Sequence, residues 1–347
     1  MKTVKFKKAG QIVIEEVEKP TVHDPEDVVI KVIRTCVCGS DLWAYRELQE
    51  HNSALINDGH EALGIVEETG SAITSVKKGD LVIAPFTHGC GHCAACEAGF
   101  DGVCLAHAQN FSGNAQAEYM LYPYGQWALI KVPGKPEDYT EEMLNSFLTL
   151  ADVMATGYHA ARTANVQKGD TALVVGDGAV GLCGVISAKL RGANRIILMS
   201  HHKDRAELGK EFGATEIVSE HGDDAIKHVM ELTNKNGADA ILECVGAAQS
   251  TQQAIACARP GAKVGRVGLP HFENMNPAET FYKNIQIAGG PASVTTYVKK
   301  DGLLKAVLDG QINPGKVFTQ TYSLDEINQA YQDMSARKTI KALIKIN

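Results

Sequence analysis

From residue 171 to 268 the chain alternates short apolar runs with helix-length stretches, and no other feature limits its fold so tightly. "TALVVG" precedes "AVGLCGVISAKLRG", "RIILMS" precedes "KDRAELGKEFG", "TEIVS" precedes "DDAIKHVMELTNK", "DAILECVG" precedes "AQSTQQAIACARP", and "AKVGRVG" follows. Strands alternating with helices imply right-handed βαβ units and a doubly wound parallel sheet, an α/β fold. The first turn of the series, "VVGDGAVGL", places Gly176, Gly178 and Gly181 as G-x-G-x-x-G between strand and helix. In that context the glycines allow a tight turn and close backbone approach to a pyrophosphate at a helix N-terminus. A glycine-rich turn without a ligand is the plainer alternative.

The rest of the chain has a different texture. Residues 1 to about 150 carry short β-branched runs bounded by Gly, Pro and Asp, such as "EDVVIKVIRTC", "EALGIVEETG" and "DLVIAPF". The tail from about 292 returns to mixed elements, with "DEINQAYQDMSAR" as an amphipathic helix and "KALIKIN" as a closing strand. A tail that resembles the first half makes the α/β domain an insertion into the other one. With 347 residues, two domains are expected. The net charge of −7 disfavours a nucleic-acid partner. The N-terminus has lysines without a continuous apolar stretch, so no secretory signal is read there. No run of about 18 apolar residues is present to span a membrane. A cytoplasmic protein with reduced thiols is therefore expected.

Four of the nine cysteines fall in "CGHCAACEAGFDGVC", residues 90–104. In a reducing compartment, C-x2-C-x2-C-x7-C reads as a metal site before it reads as disulfides. Cys90, Cys93, Cys96 and Cys104 would fill a tetrahedral zinc shell and leave no open position, so this zinc would be structural. Four unligated loop cysteines are the alternative, and His92 is an exposed loop residue. Candidates for chemistry lie elsewhere: Cys38 in "CVCGSDLW" and His60 in "GHEALG". Taken singly, each is an ordinary core or hydrogen-bonded residue. Asp41 could orient a histidine ligand from behind. Asp152, in "LTLADVMATGYHA", opens a helix and by itself reads as an N-cap.

Residues 59–73, "GHEALGIVEETGSAI", fit the signature G-H-E-x2-G-x5-G-x2-I at every fixed position. With the four-cysteine lobe and the downstream glycine pattern in the same order, the whole chain resembles the zinc-dependent alcohol dehydrogenases of the medium-chain dehydrogenase family. The resemblance implies a GroES-like, β-rich catalytic domain over 1–153 and 292–347, split around an inserted Rossmann domain over 154–291, with the site in the cleft between them. It implies a catalytic zinc held by Cys38, His60 and Asp152, with Glu61 able to approach the metal. Asp41 becomes the partner of the zinc histidine, and Ser40 the hydroxyl that hydrogen-bonds the substrate oxygen. Some members carry a histidine three residues past that serine to relay the proton; here Trp43 stands there, and His51 lies further along. Three protein ligands leave zinc a position for the alcohol oxygen, and hydride passes to or from a nicotinamide. Trp43 and Phe86 fall where members line the substrate pocket, which favours a small apolar or aromatic alcohol with its aldehyde or ketone.

Cofactor choice follows from charge. NAD enzymes place Asp or Glu at the end of the second strand of the doubly wound sheet, to accept from the ribose 2′-OH. Here Ser200 ends that strand, and His201, His202, Lys203 and Arg205 follow. With no carboxylate at the strand end and several donors nearby, NADP(H) is expected over NAD(H). A solvated basic helix start is the alternative. The expected cofactor-binding set is Gly176, Gly178, Val180, Gly181, Ser200, His201, Arg205, Val245 and Gly268. Two zincs per chain and a homo-oligomer, dimer or tetramer, complete the expectation. A polyol or amino-alcohol dehydrogenase on the same scaffold, or a non-enzymatic zinc protein using the cysteine lobe to bind a partner, remain as rivals.

Overall fold

Valine- and isoleucine-rich runs dominate the first third of the chain, and they pair antiparallel. β1 (Lys2–Lys8) pairs with β2 (Gln11–Glu16). β3 (Val28–Cys36), β4 (Ala62–Thr69) and β5 (Leu81–Ala84) follow across a second sheet. β6 (Tyr119–Tyr122) pairs with β3, and β7 (Ile130–Val132) closes the sheet beyond β5. The computed structural model describes residues 1–46, 58–107, 110–271 and 277–346.

The alternating segments form the parallel sheet that their periodicity requires. β8 (Thr171–Val175), β9 (Arg195–Met199), β10 (Glu216–Val218), β11 (Ala238–Glu243), β12 (Ala258–Arg266) and β13 (Gln286–Gly289) lie in the order β10-β9-β8-β11-β12-β13, and each pairing is parallel. Four of the five residues of β8 and of β9 are buried, as expected for strands covered on both faces. The helix Ala179–Leu190 is buried along almost its whole length. Gly157 and Gly184 let the helix Val153–Thr163 approach it closely, since a Cβ on Gly157 would meet the Gly184 nitrogen at 2.6 Å.

The tail returns to the first sheet. β14 (Phe318–Ser323) and β15 (Lys341–Lys345) pair in parallel, and β15 runs antiparallel to β3 with Leu343 opposite Cys36. Between them the helix Ile327–Ser335 buries Ile327, Ala330, Tyr331 and Met334, the i, i+3, i+4, i+7 stripe of an amphipathic helix. Ala342 and Ile344 join Val28, Ile30, Val32 and Val66 in one core. Burying an aliphatic side chain the size of Ile344 contributes about 1.5–3 kcal/mol, so the tail is an integral part of this unit. The chain thus forms one unit from Met1–Ala155 with Ser293–Asn347, and a second from Thr156–Ala292. No helix among the described residues is long and apolar enough to cross a membrane.

Candidate functional site

Strand pairing in the first unit gathers a cluster from distant parts of the chain. Thr35 near the end of β3 lies opposite Ala62 at the start of β4. Cys38, just past β3, therefore meets His60 and Glu61, just before β4. Asp152 enters from the residue preceding the helix Val153–Thr163. All four side chains are buried, and one donor atom of each lies within 4.8 Å of every other. Asp152 Oδ2 is 3.3 Å from His60 Nε2 and 3.5 Å from Cys38 Sγ. Asp41 braces two of them: its Oδ2 accepts from the Cys38 backbone N–H at 2.8 Å, and its Oδ1 is 3.4 Å from His60 Nδ1. Glu61 Oε1 is 3.9 Å from His60 Nε2 but 2.7 Å from Lys341 Nζ, in an ion pair whose side chains are each 1% exposed.

The charges explain what such a cluster needs. Burial pushes the His60 pKa down, but the charge of Asp41 and bonds to Asp152, Asp41 and Cys38 outweigh it and hold it well above the ordinary value. Burial foremost pushes the Cys38 thiol up, with Asp152 adding and Lys341 opposing. Thiol, imidazole and carboxylates packed this closely must share protons, and a divalent cation takes the place of those protons when it binds. The donor set of sulfur, nitrogen and oxygen fits zinc.

The second cluster is the cysteine lobe. Cys90, Cys93, Cys96 and Cys104 are free thiols whose sulfurs all lie within 4.8 Å of one another. Cys90 Sγ is 3.9 Å from Cys96 Sγ, and Cys93 Sγ is 3.8 Å from Cys104 Sγ. Four sulfurs at a Zn–S distance of about 2.3 Å would stand about 3.8 Å apart at the corners of a tetrahedron. The backbone N–H of Cys93 donates to Cys90 Sγ at 3.3 Å, and that of Leu105 to Cys93 Sγ at 3.4 Å, as suits thiolates. His92 is exposed, and its Nδ1 lies 2.9 Å from the Cys90 carbonyl oxygen.

In the second unit, the turn after β8 is built for glycine. Gly176 has φ +108°, and a Cβ on Gly181 would meet the Gly176 carbonyl oxygen at 2.0 Å. A Cβ on Gly178 would meet nothing within 4 Å, so this glycine leaves an open approach to the backbone at the N-terminus of the helix Ala179–Leu190. Such a cradle fits a dinucleotide pyrophosphate. Val180 lies in the first turn of that helix. Val245 Cγ2 would lie 2.6 Å from a Cβ on Gly176, and Gly268 approaches the Gly246 backbone closely, so both flank the same end of the sheet. Ser200 is buried just past β9 and donates from Oγ to Asp177 Oδ2 at 2.9 Å. His202 Nδ1 lies 3.1 Å from the same oxygen, and Arg205 Nη1 donates to Asp177 Oδ1 at 3.3 Å. His201 faces away, with Nδ1 at 2.8 Å from the Ser219 carbonyl and its ring stacked on His221.

Comparison with known proteins decides the family. Residues 24–134 match the alcohol dehydrogenase GroES-like domain, and residues 179–298 match the zinc-binding dehydrogenase domain. Zinc-type alcohol dehydrogenase B of Aspergillus flavus is 31% identical over 360 residues, covering 99% of this chain and 81% of that protein. The chain belongs to the zinc-type alcohol dehydrogenases. An uncharacterized zinc-type alcohol dehydrogenase-like protein of Bacillus subtilis is 29% identical over 384 residues, covering 99% of this chain and 100% of that one. Among solved structures, the alcohol dehydrogenase TADH from Thermus sp. ATN1 superposes with a TM-score of 0.86 at 27% identity, over the whole of both chains.

As a zinc-type alcohol dehydrogenase, the chain has the expected GroES-like unit and Rossmann sheet, and it is an oxidoreductase. That membership removes the non-enzymatic rival. Phe86 stands at the cluster, its ring centroid 6.0 Å from that of His60. Ser40 precedes the short helix Asp41–Tyr45, which its side chain does not cap, and Trp43 is half-buried on that helix. His51 lies outside the described residues. One premise of the cofactor argument is corrected. The end of the second Rossmann strand does have a carboxylate beside it, Asp177, supplied by the glycine-rich turn. The sequence reading also missed Lys341, the partner of Glu61, and Phe111, which stacks on Phe86 at 6.2 Å. A lysine in a closing strand and a phenylalanine in a loop carry no local signal for either role.

Proposed function

We propose that this dehydrogenase moves hydride between a small apolar or aromatic alcohol, with its aldehyde or ketone, and a nicotinamide cofactor, with NADP(H) preferred. The observation that carries the proposal is the unequal pair of clusters. Four thiols close one of them, while the other offers Cys38, His60 and Asp152 with Glu61 tied to Lys341. When bound there, zinc supplies a Lewis acid for the substrate oxygen, and the nicotinamide gives or takes the hydride. Lys341 restrains Glu61, so that Cys38, His60 and Asp152 are the three side chains that would hold the metal. Asp41 fixes the orientation of His60 and the backbone of Cys38. Ser40 hydrogen-bonds the substrate oxygen and passes its proton outward to water or a cofactor ribose hydroxyl. Phe86 and Phe111, with Trp43, supply apolar walls that exclude water. For NADP(H), Ser200 leaves the strand end itself uncharged, and the His202 ring and the Arg205 guanidinium, both paired with Asp177, supply donors beside it. A cytoplasmic homo-oligomer, dimer or tetramer, accords with the resemblance.

A panel of aliphatic, benzylic and polyhydroxylated alcohols, each with NADP⁺ and NAD⁺, tests this by the absorbance of the reduced cofactor. Turnover is expected with the less hydroxylated alcohols and higher kcat/KM with NADP⁺. Oxidation of none of them overturns the activity, a preference for polyols overturns the substrate class, and higher kcat/KM with NAD⁺ overturns the cofactor preference.

A further inference from the structure

The glycine pattern leaves the residue between its first two glycines unspecified, and in this chain that residue is an acid. β8 and β9 are parallel neighbours with Val175 opposite Met199, so the segments that follow them leave the sheet side by side. Asp177 from the first and Ser200 from the second meet at 2.9 Å. His202 and Arg205, one turn apart at the start of the next helix, close on the same carboxylate at 3.1 and 3.3 Å. The side chains of Asp177 and Arg205 are only 13% and 11% exposed, so this is a built cluster and not a surface pair. Burial pushes the Asp177 carboxyl up, but the bonds from His202 and Ser200 and the charge of Arg205 outweigh it, and the group stays below the usual carboxylate range.

Two kinds of group serve the adenosine ribose in sheets of this type: a carboxylate for the 2′-OH of NAD, or an arginine for the 2′-phosphate of NADP. This cluster contains both, bonded to each other. His201 is turned toward Ser219, and Lys203 is 91% exposed and 3.9 Å from Glu207, so neither stands in the cluster. We propose that Asp177 is a specificity-determining residue: its carboxylate accepts from the 2′-OH of NAD(H) and competes with the 2′-phosphate of NADP(H) for Arg205 and His202. A phosphate entering there must take Arg205 from one anion while a second anion stays beside it. The NADP(H) preference is therefore smaller than the basic residues alone would give.

The inference rests on the reading that this unit binds a nicotinamide dinucleotide, and binding without turnover separates the two. NADPH and NADH are titrated into the zinc-loaded protein without substrate, and the dissociation constants are read from cofactor fluorescence. Asp177→Asn and Asp177→Ser remove the charge with two different side chains, so that loss of folding in one leaves the other readable. In either, the ratio of NADPH to NADH affinity is expected to rise by about tenfold, equivalent to about 1.4 kcal/mol. Ser200→Ala, which retains the charge, is expected to move the ratio by less than about threefold, under 1 kcal/mol. An unchanged ratio in the Asp177 variants, or equal weakening of both cofactors, overturns the inference and leaves Asp177 as a residue that merely holds the turn. Failure of the wild type to bind either dinucleotide overturns the cofactor reading instead.

Discussion

Asp152 stands where either of two roles would use a carboxylate. An N-cap and a zinc ligand differ in what a neutral amide does to them. Asn and Asp rank together as caps, but an amide is a much poorer metal ligand. Asp152→Asn is expected to lose the metal of the Cys38 cluster on mild chelation and to lose turnover with it; two zincs retained with full activity would restore the cap reading. Glu61 and Lys341 make a different kind of pair, buried at 2.7 Å. Removing one partner of such a pair costs about 3–5 kcal/mol, because the other is left as an uncompensated buried charge. Lys341→Met should therefore lower the urea midpoint sharply, and adding Glu61→Gln should recover much of the loss. Equal destabilisation by the single and double variants would contradict this. Cys38, His60 and Asp152 each have an ordinary role when read singly, and only the family resemblance joined them into one set; the structure brings their donor atoms together. Lys341 was not legible in sequence, since lysines are rarely buried and its partner lies 280 positions away.

Among the elements, the cysteine lobe was the most legible, because short loop spacing alone brings thiols together. Its backbone adds a property that no spacing shows. Hydrogen bonds from the Leu105 and Cys96 backbone lower the Cys93 thiol to about 6, while burial pushes Cys96 up to about 12. A depressed thiol is a thiolate above its pKa, so in the zinc-stripped lobe Cys93 is expected to ionise before Cys96 as the pH rises. Iodoacetamide is expected to label Cys93 well before Cys96, with the rate at Cys93 rising through about pH 6. Equal labelling of the two at pH 7 would contradict this ordering. The glycine-rich turn was legible for a related reason, since close backbone approach demands glycine at fixed offsets. Asp177 was not, because its partners depend on which strand lies beside β8, and strand order is a property of the sheet.

At the scale of the molecule, the change from strand-rich to alternating texture and back marked an α/β unit inserted into a β-rich one. The deciding contact, Leu343 opposite Cys36, joins the two ends of the chain. It follows from shared burial of both strands and from no local motif. The same architecture gives the two candidate metal clusters different surroundings. One cluster closes a lobe, and the other draws on β3, β4 and the start of the helix Val153–Thr163. Zinc content per chain, measured beside turnover in the wild type, Cys93→Ser and Cys38→Ser, tests this division most directly. The wild type should hold two zincs. Cys93→Ser should lose the lobe zinc and some thermal stability, with turnover kept by the folded fraction. Cys38→Ser should hold one zinc, stay folded and show no turnover. Near-normal turnover in Cys38→Ser with that zinc gone would contradict the assignment of catalysis to this cluster.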